Sequence, residues 1–392
     1  MRTEHGHAVV FVVALLGCLA AATLLVFEAG RLTAQKRRLI DAADAAAMSA
    51  AAFEARVLNF ESYMNRAIVA NEVATAQAVS LRSWLAYETR TVARANRVTR
   101  FVPYLGPAVQ SLRGVMAGAN RAAQPLLVAG EGTLALFTVD YALAAEALHQ
   151  AALPATVELA HHAAARNYPG AGLSARGEAS LALHGSGWTA FTRAYDGARR
   201  ARQKDVIVRS LDRFTADRGA SFRAPVIARL EKRGGTDLLG FGTWRGMDTF
   251  ALHLRGLFGW REAYSIGWGA AEQGARTAGR GTHGGSYRVN RRTSRAAMRD
   301  LAASRLSRGL PAMRDLAHPE SRGNDVLRID LELAAPVTAH GASGRATLTA
   351  GASARVFHGR PAPRQDRRRE LASLYSPYWQ ARLAPPPLVP LP

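Results

Sequence analysis

Residues 279–284, Gly-Arg-Gly-Thr-His-Gly, satisfy the spacing G-x-G-x-x-G, whose glycines in a dinucleotide site permit a tight turn and close approach of the pyrophosphate. No apolar strand precedes them and no helix start follows, so the context points instead to an exposed Gly- and Arg-rich loop over 273–295. His149, His161 and His162 fall on an expected helix, but neither an H-E-x-x-H pattern nor a carboxylate at ligand spacing accompanies them. Adjacent histidines point to different helix faces, so surface or boundary positions are expected rather than a metal site. Asp330 and Glu332 stand two apart on one face of an expected strand, a placement open to a general acid and base. Among 51 basic residues, ion pairing is the preferred reading of both. A G-x-S-x-G elbow, a Walker sequence and a D-x-S-x-S pattern are all missing. The expectation is therefore no catalytic, cofactor-binding or metal-binding residue, no cofactor, and no enzyme.

The formal charge of +21 is carried by arginine, since the only lysines are Lys36, Lys204 and Lys232. Arginine, alanine and glycine are abundant together, which is the mark of biased composition. The charge would also suit an anionic partner: lipid head groups, surface polysaccharide or nucleic acid. Two groups stand out, Arg291, Arg292 and Arg295, then Arg364, Arg367, Arg368 and Arg369. Both could neutralise phosphates, but Tyr287 is the only aromatic near the first, too few for a single-strand binder. Solvated cationic loops are expected. The single Cys18 excludes an intramolecular disulfide and a cysteine metal cluster.

The elements that would position these groups begin with AVVFVVALLGCLAAATLLVF, residues 8–27, long enough to span a bilayer. A cleaved signal would have a shorter apolar core and a stronger basic start than MRTEHGH. Leu15-Leu16-Gly17-Cys18 looks like a lipoprotein box, but LAAATLLVF follows it where a polar tether belongs. An uncleaved transmembrane anchor is the preferred reading. Arg31, Lys36, Arg37 and Arg38 outweigh the basic groups before the span, which by charge alone puts the bulk of the chain in the cytoplasm.

Proline is absent before Pro103, and glycine is absent between Gly30 and Gly106, which predicts one long helix or a few with very short joints. Heptad spacing joins Leu39, Ala43, Ala46, Ala50, Phe53, Val57, Phe60, Met64, Ala67, Asn71, Ala74, Ala78 and Leu81, a stripe that needs a partner surface. Pro103, Gly106 and Pro107 break the helix; apolar segments near 109–123 and 134–165, interrupted at Pro154, are expected to cover the stripe and complete a helical bundle. After NYPGAG, residues 167–172, the pattern shortens. ASLALHG (179–185), GWTAFTRAY (187–195), DTFALHLR (248–255), REAYSIGW (261–268) and VLRIDLEL (326–333) read as strands, and 204–218 as helix. Tyr375, Tyr378 and Trp379 are expected to pack back on the protein, within short amphipathic pieces.

The succession HGH, the apolar span, Glu28-Ala-Gly-Arg31, Gln35-Lys-Arg-Arg38 and Asp41-Ala-Ala-Asp44 resembles the N-terminal segment of TadE/TadG-like proteins, accessory components of Flp (type IVb) pilus assembly. Asn65 to Ala74 and Pro377-Tyr-Trp-Gln-Ala-Arg-Leu383 are similar to family stretches; residues 100–370 carry no such motif. The resemblance implies a single-pass protein of the bacterial inner membrane, N-terminus cytoplasmic and bulk periplasmic. This orientation is adopted over the charge rule, with Arg31 to Arg38 lying against head groups. Five residues after Gly6 stands Phe11 and not glutamate, so the pilin-like cleavage of some family members is not expected.

The expected fold class is α+β: a transmembrane helix continuing into a long Ala-rich helix and bundle, followed by a mixed extracytoplasmic region. The expected segments are a stub over 1–7, the span 8–27, a helical region 28–167, an α+β region 171–370, and an aromatic, Pro-rich tail 371–392. The expected function is non-enzymatic, a membrane-anchored component that packs against pilin-like subunits, other pilus-assembly proteins or its own copies. The alternative is an anchored cationic envelope protein holding anionic polymer or DNA, nucleic acid being the less expected partner.

Overall fold

The computed structural model describes residues 5–224, 227–257, 259–275, 285–307, 309–317, 326–337, 346–368 and 370–385. The glycine-spaced stretch 279–284, Arg369, residues 1–4 and the Pro-rich end 386–392 lie outside them. The chain is α+β, helical first and β-rich later. Its helices are α1 (His5–Thr99), α2 (Leu105–Asn167), α3 (Ala175–Phe191), α4 (Arg199–Arg209), α5 (Arg213–Ala216), α6 (Ser286–Val289) and α7 (Arg291–Arg299). The strands are β1 (Gly172–Leu173), β2 (Thr192–Ala194), β3 (Ala220–Ala224), β4 (Ala228–Leu239), β5 (Thr243–Gly256), β6 (Gly259–Gly274), β7 (Ala302–Ser304), β8 (Arg314–Leu316), β9 (Val326–Pro336), β10 (Thr347–His358) and β11 (Trp379–Ala384).

Free of proline, and of glycine after Gly30, α1 runs unbroken for 95 residues. Its apolar start, with a window of mean hydropathy 2.9, is wholly exposed, and Cys18 lies exposed within it. By length and composition both α1 and α2 could cross a membrane, α2 less strongly at 1.4. Pro103 falls in the break between the two, as expected. Pro154, however, does not end α2: Ala152, Ala160 and Ala164 are buried on either side of it, and that packing holds the helix across the lost hydrogen bond.

Two compact units form. The first takes residues 1–62, 146–193 and 315–392, the second 63–145 and 194–314. In the first, β1, β9, β10 and β11 make an antiparallel sheet in that order. As the alternation in VLRIDLEL predicts, Leu327, Ile329, Leu331 and Leu333 turn inward from β9. They share one core with Ala350, Ala352, Ala354 and Val356 of β10, and with Ala42, Ala43, Ala46, Ala47, Ala50 and Ala51 of α1. Alanine leaves little side chain between backbones, so the helix lies close to its neighbours.

Residues 179–191 are helical, where strands were expected. Ser174 caps α3 by accepting from the Gly177 N–H (3.1 Å), and Gly177, Ser180, Leu181, His184, Gly185 and Trp188 form its buried face. That face has helical period, but small residues and a histidine make it nearly invisible to a hydrophobicity reading. Trp379 is buried in this unit, with Asn59 bonding both its N–H and its C=O at 2.9 Å. The tail therefore packs back as expected, though 379–384 are a strand rather than an amphipathic piece.

The second unit holds a five-stranded sheet, β3-β4-β5-β6-β7, antiparallel except for the parallel β6–β7 pair. DTFALHLR and REAYSIGW lie in β5 and β6, as their patterns predict. Gly269 lets α1 approach β6: a Cβ there would sit 2.1 Å from the Ser83 carbonyl oxygen.

The buried face of α1 departs from the heptad stripe. Leu39, Ala43, Ala46, Ala50, Val57 and Ala78 are buried as expected, but beyond Val57 most buried positions lie off the stripe, among them Glu61, Asn65, Ile68, Glu72, Thr75, Val79 and Arg82, while Leu81 is 38% exposed. A straight helix turns every 3.6 residues, so a 3.5-residue stripe slides around it by about 20° per heptad. Over six heptads that drift carries the expected stripe off the face that is packed.

Candidate functional site: an arginine-lined cleft

In RRTSRAAMR, residues 291–299, the small side chains Thr293, Ser294, Ala296 and Ala297 are buried, which turns Arg292, Arg295 and Arg299 to the opposite face. Spacings of three and four place these guanidiniums about one turn apart. Helix α7 is docked by β6: the Glu262 carboxylate accepts from the backbone N–H groups of Arg292 (2.6 Å) and Thr293 (2.8 Å) and from the Thr293 hydroxyl. Orphan donors of the first turn are thereby satisfied. Asn290, just before the helix, is buried between the Glu231 carbonyl (2.8 Å) and His253 Nε2 (2.9 Å).

The exposed side of α7 borders a cleft of about 710 Å³. Tyr264 and Trp268 of β6 line it, with Tyr287, Arg292, Arg295, Arg299 and, from α1, Arg94. The Arg94 guanidinium lies 4.3 Å from the Trp268 ring and 5.4 Å from that of Tyr264, and it donates to the Ser265 carbonyl. Asp300 pairs with Arg90 (3.2 Å) and accepts from Trp268 Nε1 (2.9 Å). Among the described residues no carboxylate lines the cleft, and Arg295 and Arg299 have no polar partner. Four fixed positive charges beside aromatic rings can bind and orient an anion. They cannot exchange protons, because a guanidinium stays charged at any working pH.

Comparison with family profiles, curated proteins and solved structures finds no match. The cleft therefore rests on its own chemistry.

Of the arginines singled out in the sequence, Arg292 and Arg295 meet here, on a helix and not on a loop. Arg291 is exposed but lines no part of the cleft. The second group belongs to the other unit, where Arg364 pairs with Asp366 at 2.9 Å. Neither motif nor composition singles out Arg94, Arg299, Tyr264 or Trp268. For Arg299 the signal was present, since cutting the loop at 295 hid the 292–295–299 helical spacing. Arg94 carries no sequence signal at all, being remote along the chain.

The histidines and carboxylates fall elsewhere. His149 is buried, stacked 4.9 Å from the Trp188 ring and bonded through Nδ1 to Glu61 (2.8 Å), so it is neither a surface nor a boundary residue. His162 makes an exposed pair with Glu158 at 3.6 Å, and with His161 it borders a shallow, largely apolar hollow of about 750 Å³. Asp330 pairs with Arg328 (2.8 Å), while Glu332 accepts from the Ser174 hydroxyl (2.7 Å). A second buried pair joins His184 Nε2 to Glu54 (2.7 Å). Burial pushes the His184 pKa down, but the Glu54 hydrogen bond and charge outweigh it, and the net direction is up. No cluster of three metal-ligating side chains exists among the described residues.

Proposed function

We propose that the chain is a single-pass, non-enzymatic component of Tad/Flp-type pilus assembly in the bacterial inner membrane, with its N-terminus cytoplasmic and its bulk periplasmic. One observation carries the anchoring. The segment 8–27 is apolar and exposed on every side, and the same helix continues without a joint into the stretch 39–58, one face of which is buried in the first unit's core. Such a helix couples a folded body to a bilayer with no proline between, and Gly30 lies within the continuous helix without breaking it. The head-group collar of this reading reduces to Arg37 and Arg38, which are exposed, because Lys36 donates to the Thr349 carbonyl and Arg31 pairs with Glu28 (3.2 Å).

Ala46 and Ala50 have no exposed surface. Partner helices would therefore meet another face, and α2 offers one with Leu126, Leu136 and Leu143 each more than 60% exposed. Deleting residues 8–27 should move the protein from the membrane to the soluble fraction. A reporter fused after residue 100 should be active only outside the cytoplasm, and cytoplasmic activity would reverse the orientation. Loss of the gene should remove surface pili; intact pili would sink the assembly role.

A second reading, an anchored cationic protein that holds an anionic envelope ligand, is favoured by the arginine cleft of α7 and β6.

A further inference from the structure

From the cleft we infer that the second unit carries a specific site for a ligand bearing two or more phosphate groups. The inference rests on the second reading above and narrows it from diffuse charge to four named arginines. Arg292, Arg295 and Arg299 follow one another at single-turn spacing along α7, so adjacent guanidiniums can grip one phosphate and the third can reach a neighbouring one. Arginine suits this task because its planar fork pairs bidentately with phosphate oxygens. The fourth, Arg94, is held in place by the Trp268 and Tyr264 rings and by the Ser265 carbonyl. A pre-positioned cation loses little freedom when an anion arrives.

The surroundings are arranged to keep the site cationic. Glu262 is consumed in capping α7, and Asp300 in pairing with Arg90 and Trp268. Arg295 and Arg299 are left exposed with no polar partner among the described residues. The docking of α7 through Glu262 and Asn290 gives the guanidiniums a rigid base, unlike a solvated loop. Nucleic acid fits less well: single-strand binders need successive free aromatic faces, and here Arg94 already lies on Trp268. The shared chemistry is the phosphate cluster itself, whether on a lipid head group or on a soluble ligand.

The test uses the full-length protein in phosphatidylcholine nanodiscs, titrated calorimetrically with inorganic pyrophosphate, and in a parallel arm with vesicles of cardiolipin, whose head group carries two phosphates, in phosphatidylcholine. Binding in the first arm identifies a soluble phosphate source and binding only in the second a lipid head group; either supports the site. The double variant Arg295→Ala/Arg299→Ala should lose at least about tenfold in affinity, as removal of charge-assisted hydrogen bonds does. Both side chains are exposed, so its melting temperature should match the parent's. The control Arg364→Ala/Arg368→Ala, in the other unit, should bind as the parent does. Equal weakening of both doubles would overturn the site and leave a diffusely cationic protein. A single-stranded oligonucleotide that outcompetes pyrophosphate at the cleft would overturn the ligand class. No salt-dependent binding of phosphate, vesicle or oligonucleotide would remove the second reading along with the inference.

Discussion

Helix α1 buries mainly alanine in one unit and mainly polar and charged groups in the other. In the first, the alanines from Ala42 to Ala55 give it a smooth face, backed by the leucines of β9 and by Leu39, Val57 and Leu58, and interrupted by the buried Glu54. In the second, its buried positions include Glu72, Thr75, Ser80, Arg82 and Ser83. Arg82 there donates to both oxygens of Glu131 (2.9 and 2.8 Å), to Gln124 (3.1 Å) and to the Ala302 carbonyl (3.1 Å). Asp248 likewise receives Arg218 (2.8 and 2.9 Å) and the Ser83 hydroxyl (2.6 Å). An alanine face gains stability by close approach and tolerates many neighbours. A buried ion pair gains little net stability yet penalises every arrangement that leaves one partner alone. The second unit is thus held to one packing chiefly by its polar groups, and the first chiefly by its shape, with the Glu54–His184 and Glu61–His149 pairs added to it.

The largest effect should come from separating a buried pair. Arg82→Ala leaves Glu131 buried without its cation and should destabilise the second unit by about 3–5 kcal/mol. A loss of less than about 1 kcal/mol in the unfolding free energy from a urea melt would mean that these pairs do not decide its packing.

Next in size is Glu72. Burial raises its pKa to about 7, against the hydrogen bond from Trp244 Nε1 (2.7 Å), which favours the charged form. The folded protein therefore holds a proton that the unfolded chain has released, and stability falls as pH rises from about 4.5 through 7. Glu72→Gln keeps an acceptor for Trp244, and should flatten that slope and gain up to about 3 kcal/mol above pH 7. An unchanged pH profile would contradict the buried, neutral carboxyl. In the first unit His184 has the same sign for a different reason. Its raised pKa contributes stability below the ordinary histidine value and loses it as pH rises through the raised one. His184→Gln should remove that slope, as thermal melts across neutral pH would reveal.

Overfilling the alanine face comes third. Ala47→Leu inserts a larger side chain where no surface is exposed, and should destabilise by about 1–3 kcal/mol in a chemical melt. If it stabilises, the face contains unfilled space. Smallest of all, Arg295→Ala/Arg299→Ala should alter stability by no more than about 0.5 kcal/mol, since neither side chain is packed. Its effect belongs to ligand binding alone.

Much of the scaffold was legible in advance. Lack of glycine and proline between Arg31 and Val102 foretold α1, the β-favouring character of 248–255 foretold β5, and strict alternation in 326–333 foretold β9. The strands β4 and β10 were overlooked because RLEKRGGTDLL and TLTAGASARVFH are rich in charged or small residues. Half of the cleft, Arg292 and Arg295, was already suspect from composition. Its floor was not, because Tyr264 and Trp268 sit in a strand whose pattern shows alternation and not which face borders a cleft.

Local rules acting within a few turns settle what a residue is by itself: the apolar span, an unbroken helix, a strand that alternates, an arginine that stays charged. Choosing the packed face of α1 requires a difference of a tenth of a residue per turn accumulated over twelve turns, and only the packing within each unit supplies it. The same holds for Arg82 with Glu131 and for Arg94 over Trp268, 49 and 174 residues apart. Coulomb and ring contacts act over ångströms, so only the folded chain brings these groups within range of one another.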